Sequence, residues 1–135
     1  MKIRPVILCG GAGTRLWPKK KKQQAKQFID FGGWSLIQKT LQRIKKPFFD
    51  YPIISTNLKY LKQVRKSLKK NKIKKYKIVL EPAKKNTAPA ILSSALIKDI
   101  PLEQPLMYFA ADHLIEKSNI LNRSINNNKS NLDDQ

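Results

Sequence analysis

The stretch that decides the fold is IRPVILCGGAGTR, residues 3–15, in which an apolar run ends abruptly in glycines. The run at 3–9 has the length and continuous hydrophobicity of a strand buried on both faces of a parallel sheet. Gly10, Gly11 and Gly13 follow it, and glycines after such a strand let the backbone approach a phosphate closely. The stretch therefore predicts the first strand of an α/β domain with a ligand-binding loop at its end.

Outward from this stretch, apolar runs alternate with helical patterns to the end of the chain. The runs predict strands at 3–9, 51–56, 76–80 and 105–111. Between the strands, apolar spacings of three and four predict a helix at 34–46. A second helix carries the stripe Leu58, Leu61, Val64 and Leu68, and a third carries Leu92, Leu96 and Ile100. A last helix is predicted at 116–129. This alternation predicts a doubly wound, Rossmann-like, mainly parallel sheet with helices on both faces. The polar end, NNNKSNLDDQ, leads us to expect that residues 1–135 are a fragment of a truncated domain.

Charge and cysteine content limit the classes of function. The 28 Lys and Arg residues outnumber the 9 Asp and Glu residues, for a net charge of +19, which attracts polyanions of any kind. A nucleic-acid-binding module is therefore one open interpretation, although the lysines are spread along the chain and only 8% of residues are aromatic. Cys9 is the single cysteine, which excludes an intrachain disulfide and a cysteine-built zinc site. No apolar run is long enough for a signal peptide or a membrane span, so we expect a soluble cytoplasmic protein.

The first chemically rich loop follows the strand at 3–9. It is not a dinucleotide fingerprint, because Leu16 stands where the last glycine of GxGxxG belongs, and it is not a P-loop, because no Gly-Lys-Ser/Thr follows. Arg15 supplies a planar fork for phosphate oxygens and Lys26 a mobile point charge. The alternative is a plain glycine-rich turn, with the lysines at 19–22 as a solvated loop.

The second loop, EPAKKNTAPA, follows the strand at 76–80. An ionised Glu81 offers two acceptor oxygens, which suit the N1–H and N2 amino group of guanine better than the edge of adenine. Asn86 and Thr87 precede a helix, and their alternative role is to cap it. The third loop begins with Asp112 after the strand at 105–111. A carboxylate there suits Mg²⁺, and a helix or turn cap is its alternative role. For His113 we favour packing or support of a neighbouring ligand over direct catalysis.

These stretches share a family likeness. The chain resembles the sugar-nucleotide pyrophosphorylases, and within them the mannose-1-phosphate guanylyltransferases (GDP-mannose pyrophosphorylases). VILCGGAGTRLWP (6–18) with KQF (26–28) is similar to the N-terminal signature of that family. EPAKKNTAPAI (81–91) resembles its guanine-site segment and AADHLI (110–115) its metal-aspartate segment. Departures occur at Ala25, where the family usually has proline, at Lys85, where it has arginine, and at the lysines after LWP.

The resemblance implies a reaction in which GTP and mannose 1-phosphate give GDP-mannose and pyrophosphate with Mg²⁺. It implies catalytic roles for Arg15 and Lys26 and a metal-binding role for Asp112. The nucleotide-binding set that it implies is Leu8, Gly10, Gly11, Ala12, Gly13, Thr14, Glu81, Asn86 and Thr87. We expect the chain to be the N-terminal nucleotide-binding part of the domain, with no specific nucleic-acid or membrane partner and with a homo-oligomer left open for the full-length enzyme. The remaining alternative is a relative that binds nucleotide without turning it over.

Overall fold

The structure, a computed structural model, describes residues 1–11, 25–81, 87–129 and 131. Four strands and four α-helices alternate through these residues. The strands are β1 Arg4–Cys9, β2 Ile53–Asn57, β3 Lys77–Glu81 and β4 Leu106–Ala110. The helices are α1 Leu36–Arg43, α2 Leu61–Lys70, α3 Thr87–Ala95 and α4 Ser118–Asn128, and short 3-10 turns lie at Lys26–Phe28 and Leu58–Tyr60.

The strands form one parallel sheet in the order β3-β2-β1-β4. The chain steps outward from β1 through β2 to β3, and then crosses back to place β4 on the other side of β1. Reversal of the strand order at β1 creates a switch point, and ligands of such folds bind beyond the carboxyl ends of the strands there. The predicted Rossmann-like parallel fold is confirmed.

The sheet is covered on both faces, because successive residues of a strand point to opposite sides. Ile7 and Cys9 of β1 join the larger cluster, against which α1, α2 and α4 pack. Val6 and Leu8 join a smaller cluster with Tyr108. Helix α3 lies on that second face, where the Tyr108 hydroxyl donates to the Ile91 carbonyl over 3.3 Å. The two layers of helices make β1 the most deeply buried strand.

The predicted apolar stripe on the third helix is wrong for Leu92 and Leu96, whereas its third member, Ile100, is buried but lies beyond the helix. Helix α3 ends at Ala95, and Leu92 and Leu96 are 60% and 67% exposed. The face that α3 buries carries Ala90 and Ser94 instead. Small side chains let the helix approach the sheet, and the Ser94 hydroxyl donates to the Ala90 carbonyl over 2.8 Å, so burial leaves it satisfied. The buried face of α3 is therefore the one whose small side chains allow close packing on the sheet, and the leucines lie on the exposed face.

A polar cluster closes the amino-terminal edge of the sheet, opposite the glycine-rich loop. Arg4 is only 4% exposed, pairs with Asp50 at 2.7 Å and stacks over the Tyr51 ring at 3.7 Å. Gln104 also donates to the Asp50 carboxylate, over 3.1 Å. Burial opposes ionisation of Asp50, but the Tyr51 N–H, the Gln104 amide and the Arg4 and Lys75 charges together hold its pKa below the ordinary value of 3.8. The cluster ties β1 to the segments before β2 and β4.

Among the described residues, the longest helices are short and polar, and none could cross a bilayer.

We predict that Asp50→Asn lowers the free energy of unfolding at pH 7 by about 2 kcal/mol, because it leaves the buried Arg4 guanidinium without its counter-charge. The contribution of Asp50 is present above pH about 4 and is lost as the pH falls through its depressed folded-state pKa. Urea denaturation from pH 7 to pH 2 measures both effects. The exposed Glu103→Gln change is the matched control, and equal stability of the two variants would contradict the prediction.

Candidate functional site

The candidate site lies at the carboxyl edge of the sheet, where the four parallel strands end together. Leu8 pairs with Ala110, Cys9 with Thr56, and Asn57 with Glu81. The Ala111 N–H continues the pairing past β4 by donating to the Leu8 carbonyl over 3.0 Å. The register therefore delivers the segments after β1, β3 and β4 to one edge.

The Glu81 carboxylate reaches across β2 to the glycine that follows β1. Neighbouring strands lie about 4.8 Å apart, so β3 and β1 are separated by about 10 Å at the backbone. Ser55 of β2, which is fully buried, donates from its hydroxyl to Glu81 Oε1 over 2.7 Å and fixes the carboxylate between the two strands. A Cβ on Gly10 would stand 2.8 and 2.9 Å from the two Glu81 oxygens. A side chain at position 10 would therefore push the Glu81 carboxylate out of this position.

A buried glutamine holds the start of the glycine-rich loop. Gln27 is 3% exposed, and its Nε2 donates to the Gly11 carbonyl over 2.9 Å and to the Cys9 carbonyl over 3.5 Å. The buried Thr56 hydroxyl donates to the same Cys9 carbonyl over 3.2 Å. No sequence pattern singles out Ser55, Thr56 or Gln27, because their partners lie far along the chain. Their only signal was position, in β2 or beside Lys26.

The two predicted carboxylates lie on either side of the end of β1. The pKa of the Cys9 thiol is raised to about 12, chiefly by burial. The charges of Asp112 and Glu81 contribute to this rise, and hydrogen bonds from Gln27 and Thr56 oppose it. Both carboxylates are thus close enough to Cys9 to act on its ionisation. The structure brings Glu81 and Asp112 to the same strand end, as the interpretation of one shared site requires.

Asp112 follows β4 and keeps its side chain 41% exposed toward the site edge. His113 Nε2 lies 4.0 Å from Asp112 Oδ1, and the imidazole is 71% exposed. That exposure makes the packing role considered for His113 wrong. Its distance from Asp112 leaves support of that carboxylate as the remaining role.

The other predicted residues divide into two groups. Lys26 begins the 3-10 turn Lys26–Phe28, next to the Gln27 side chain that contacts Gly11, and is half-buried. Leu8 is half-buried on the α3 face of β1, and Thr87 is the exposed first residue of α3. Arg15, Ala12, Gly13, Thr14 and Asn86 lie outside the described residues, as do the lysines at 19–22.

The described residues fit Mg²⁺ in one respect. They contain no cluster of three or more His, Cys, Asp or Glu side chains that could hold a metal by itself. Mg²⁺, however, keeps several waters and typically takes one or two carboxylates together with substrate phosphates. A single half-exposed carboxylate, Asp112, beside a glycine-rich loop is a donor set of that kind.

Comparison with known proteins places the chain in a family. The model of the family described as "Nucleotidyl transferase" matches residues 4–132. The chain belongs to this family. It is 37% identical over 129 residues to mannose-1-phosphate guanylyltransferase 2 of Escherichia coli O157:H7 and 36% identical over 123 residues to the alginate biosynthesis protein AlgA of Pseudomonas fluorescens. The alignments cover 93% and 90% of this chain but only 27% and 26% of those relatives.

Solved structures give the same fold. A structure described as mannose-6-phosphate isomerase from Helicobacter pylori superposes with a TM-score of 0.73 at 28% identity, over 96% of this chain and 46% of that one. A UDP-glucose pyrophosphorylase complexed with UDP-glucose superposes with a TM-score of 0.65 at 21% identity, over 96% of this chain and 54% of that one. The second likeness supports the fold alone.

We predict that Cys9 resists alkylation in the folded protein, because a thiol with a pKa of about 12 is almost entirely protonated at pH 9. Iodoacetamide should modify it about a hundredfold faster in urea, where the ordinary pKa returns. By the same shift, the stability linked to Cys9 is lost as the pH rises from about 9 through 12. In a Glu81→Gln/Asp112→Asn variant, alkylation of the folded protein should be about threefold faster than in Glu103→Gln. Equal rates would contradict the placement of both carboxylates near Cys9.

Proposed function

We propose that this chain is the nucleotide-binding part of a nucleotidyltransferase that joins GTP and mannose 1-phosphate into GDP-mannose and releases pyrophosphate. The observation that carries the proposal is the Glu81 carboxylate, held by Ser55 against Gly10 at the same strand ends as Asp112. Membership of the nucleotidyl transferase family supports the reaction class. The name of the Escherichia coli relative supports the substrates. The chain spans only about a quarter of the length of both relatives.

The choice of guanine follows from the acceptor chemistry of Glu81. Ser55 donates to Glu81 Oε1, and no donor among the described residues contacts Oε2, while both oxygens lie close to Gly10. An ionised carboxylate accepts hydrogen bonds only, so it pairs with the N1–H and N2 amino group of guanine. The adenine edge offers an acceptor at N1, which would face the carboxylate and repel it. The base therefore lies over Gly10, on the same face of the sheet as Leu8.

The reaction needs positioning and charge neutralisation rather than a protein nucleophile. A phosphate oxygen of mannose 1-phosphate attacks the α-phosphorus of GTP in line, a new P–O bond forms, and the bond to the β-phosphate breaks to release pyrophosphate. Lys26 neutralises negative charge that develops at the α-phosphate, and Arg15 steadies the leaving pyrophosphate. The backbone of Gly10 and Gly11, fixed by Gln27, holds the nucleotide close.

Mg²⁺ would be held by Asp112 and would supply neutralisation of phosphate charge between the two reactants. Asp112 itself contributes an ionised carboxylate at the end of a rigid, paired strand. Ala12, Gly13, Thr14, Asn86 and Thr87 complete the proposed nucleotide-binding set. The nucleic-acid-binding interpretation is less well supported, because the lysines are spread along the chain and only 8% of residues are aromatic.

We predict that Glu81→Gln lowers the preference of the chain for GTP over ATP by about tenfold or more. The substitution replaces one carboxylate oxygen, which accepts a hydrogen bond from guanine, with an NH₂ group, which can only donate. Calorimetric titration of the protein with GTP and with ATP, each in the presence of Mg²⁺, measures the ratio of the two dissociation constants. Glu103→Gln carries the same chemical change at an exposed site and should leave the ratio unchanged. An unaltered ratio in Glu81→Gln would remove the guanine assignment.

We predict that Lys26→Ala weakens GTP and GMP binding by about tenfold and leaves guanosine binding unchanged, because only the phosphates lose their counter-charge. Lys45→Ala, exposed and remote from the strand ends, is the charge-matched control. Pyrophosphate release with GTP, Mg²⁺ and mannose 1-phosphate, where the chain turns over, should fall by orders of magnitude in Lys26→Ala. Nucleotide binding without any pyrophosphate release from the parent chain would favour the non-catalytic alternative instead.

A further inference from the structure

A cavity opens in the layer of helices that contains α1 and α4, on the face of the sheet opposite α3 and the proposed base site. It has a volume of about 390 Å³ and lies between the second half of α1 and the segment that leads into α4. Its polar lining includes three cations against one carboxylate: Lys39, Arg43 and Lys46 against Glu116. None of the residues assigned to nucleotide binding lines it, so its occupant is independent of the proposed function.

Arg43 is the unusual member of this lining. It is 4% exposed, and its Nε is withdrawn from solvent with no hydrogen-bond partner among the described residues. The ion pairs of the described part of the chain do not include it either. Burial of a guanidinium without a partner is costly, and buried charges in proteins are normally paired. A guanidinium in this position is completed by an anion that enters the cavity.

The wall contributed by α4 adds a second unpartnered group and a helix terminus. Asn122 is 8% exposed, and its Oδ1 also has no partner among the described residues, although its Nδ2 donates to the Arg43 carbonyl over 3.4 Å. Ser118 and Asn119, the first residues of the 11-residue helix α4, line the same cavity. The Lys117 cap supplies no side-chain acceptor to their end of the helix. First-turn N–H groups that have no side-chain acceptor from the cap favour binding of an anion.

We propose that this cavity is a phosphate site, in which Arg43 and Lys46 bind the phosphate group of a small phosphorylated molecule at the N-terminus of α4. The planar guanidinium and the first-turn N–H groups donate to the phosphate oxygens. The volume exceeds that of one phosphate group, and the Asn122 Oδ1 is an acceptor for a hydroxyl on the same molecule. Glu116 limits the affinity by repulsion.

The test uses the intrinsic fluorescence of Trp34, which lines the cavity, in a Trp17→Phe background so that Trp34 is the single reporter. Inorganic phosphate is titrated at pH 7.5 and constant ionic strength, with chloride as the comparison anion. Lys46→Gln should weaken binding by about threefold and Arg43→Gln by about tenfold. Lys45→Gln, the neighbouring exposed lysine outside the cavity, is the matched control and should have no effect.

Glu116→Gln gives a change of opposite sign, because removal of the carboxylate should strengthen phosphate binding by about threefold. This variant and Lys46→Gln are surface changes, so the test does not depend on whether Arg43→Gln folds. Lys26→Ala should leave the phosphate titration of Trp34 unchanged, which separates this site from the proposed nucleotide site. Failure of GTP binding would therefore not remove the phosphate site.

A parallel titration with glycerol 1-phosphate distinguishes the two sources of the phosphate group. If glycerol 1-phosphate binds more tightly than inorganic phosphate, the Asn122 Oδ1 accepts a hydrogen bond from a hydroxyl of the ligand. If the two bind equally, the site recognises the phosphate group alone. The proposal is wrong if Trp34 does not respond to either anion. It is also wrong if Lys45→Gln weakens binding as much as Lys46→Gln, because the response would then report net charge rather than a built site.

Discussion

The hydrogen bond from the Ser55 hydroxyl to the Glu81 carboxylate, 2.7 Å long, is the contact on which the candidate site depends. Glu81 belongs to an edge strand, and without this bond its side chain would be free to extend into solvent. Ser55 is fully buried, so the bond has little competition from water. It turns a carboxylate of β3 toward the end of β1, two strands away. The same contact depends on glycine at position 10, because a side chain there would displace the carboxylate from Ser55.

The parallel register makes this contact possible. Parallel strands end at one edge, and the reversal of strand order at β1 leaves a gap between the connections that follow β1 and β4. Two buried donors, Thr56 and Gln27, converge on the Cys9 carbonyl at that gap. The glycine-rich segment therefore begins from a fixed backbone position, although glycine itself imposes no conformation. The donors hold the Cys9 and Gly11 carbonyls in place, and the absence of side chains at Gly10 and Gly11 allows close approach to a ligand.

Sequence patterns predicted the strands well because each contains a short apolar core, VILC in β1 and II at the start of β2. They selected Glu81 and Asp112 as candidates because both directly follow the predicted strands at 76–80 and 105–111. They missed the buried face of α3, since Ala90 and Ser94 are selected by close packing rather than by hydrophobicity. Ser55, Gln27 and Arg43 were missed for another reason. Their importance comes from partners, or from the lack of partners, that only the tertiary fold brings together.

The net charge of +19 becomes informative only when exposed basic residues are distinguished from buried ones. The lysines of α2, such as Lys62, Lys66 and Lys69, are exposed, and salt screens such charges beyond about 10 Å at 0.1 M. They attract anions weakly and without selectivity. Arg43 differs because it is 4% exposed and its Nε is withdrawn from water without a partner among the described residues. In such a place screening is small and an unpaired charge is costly. One buried cation beside a cavity is therefore stronger support for a specific anion site than many exposed lysines are for a nucleic-acid surface.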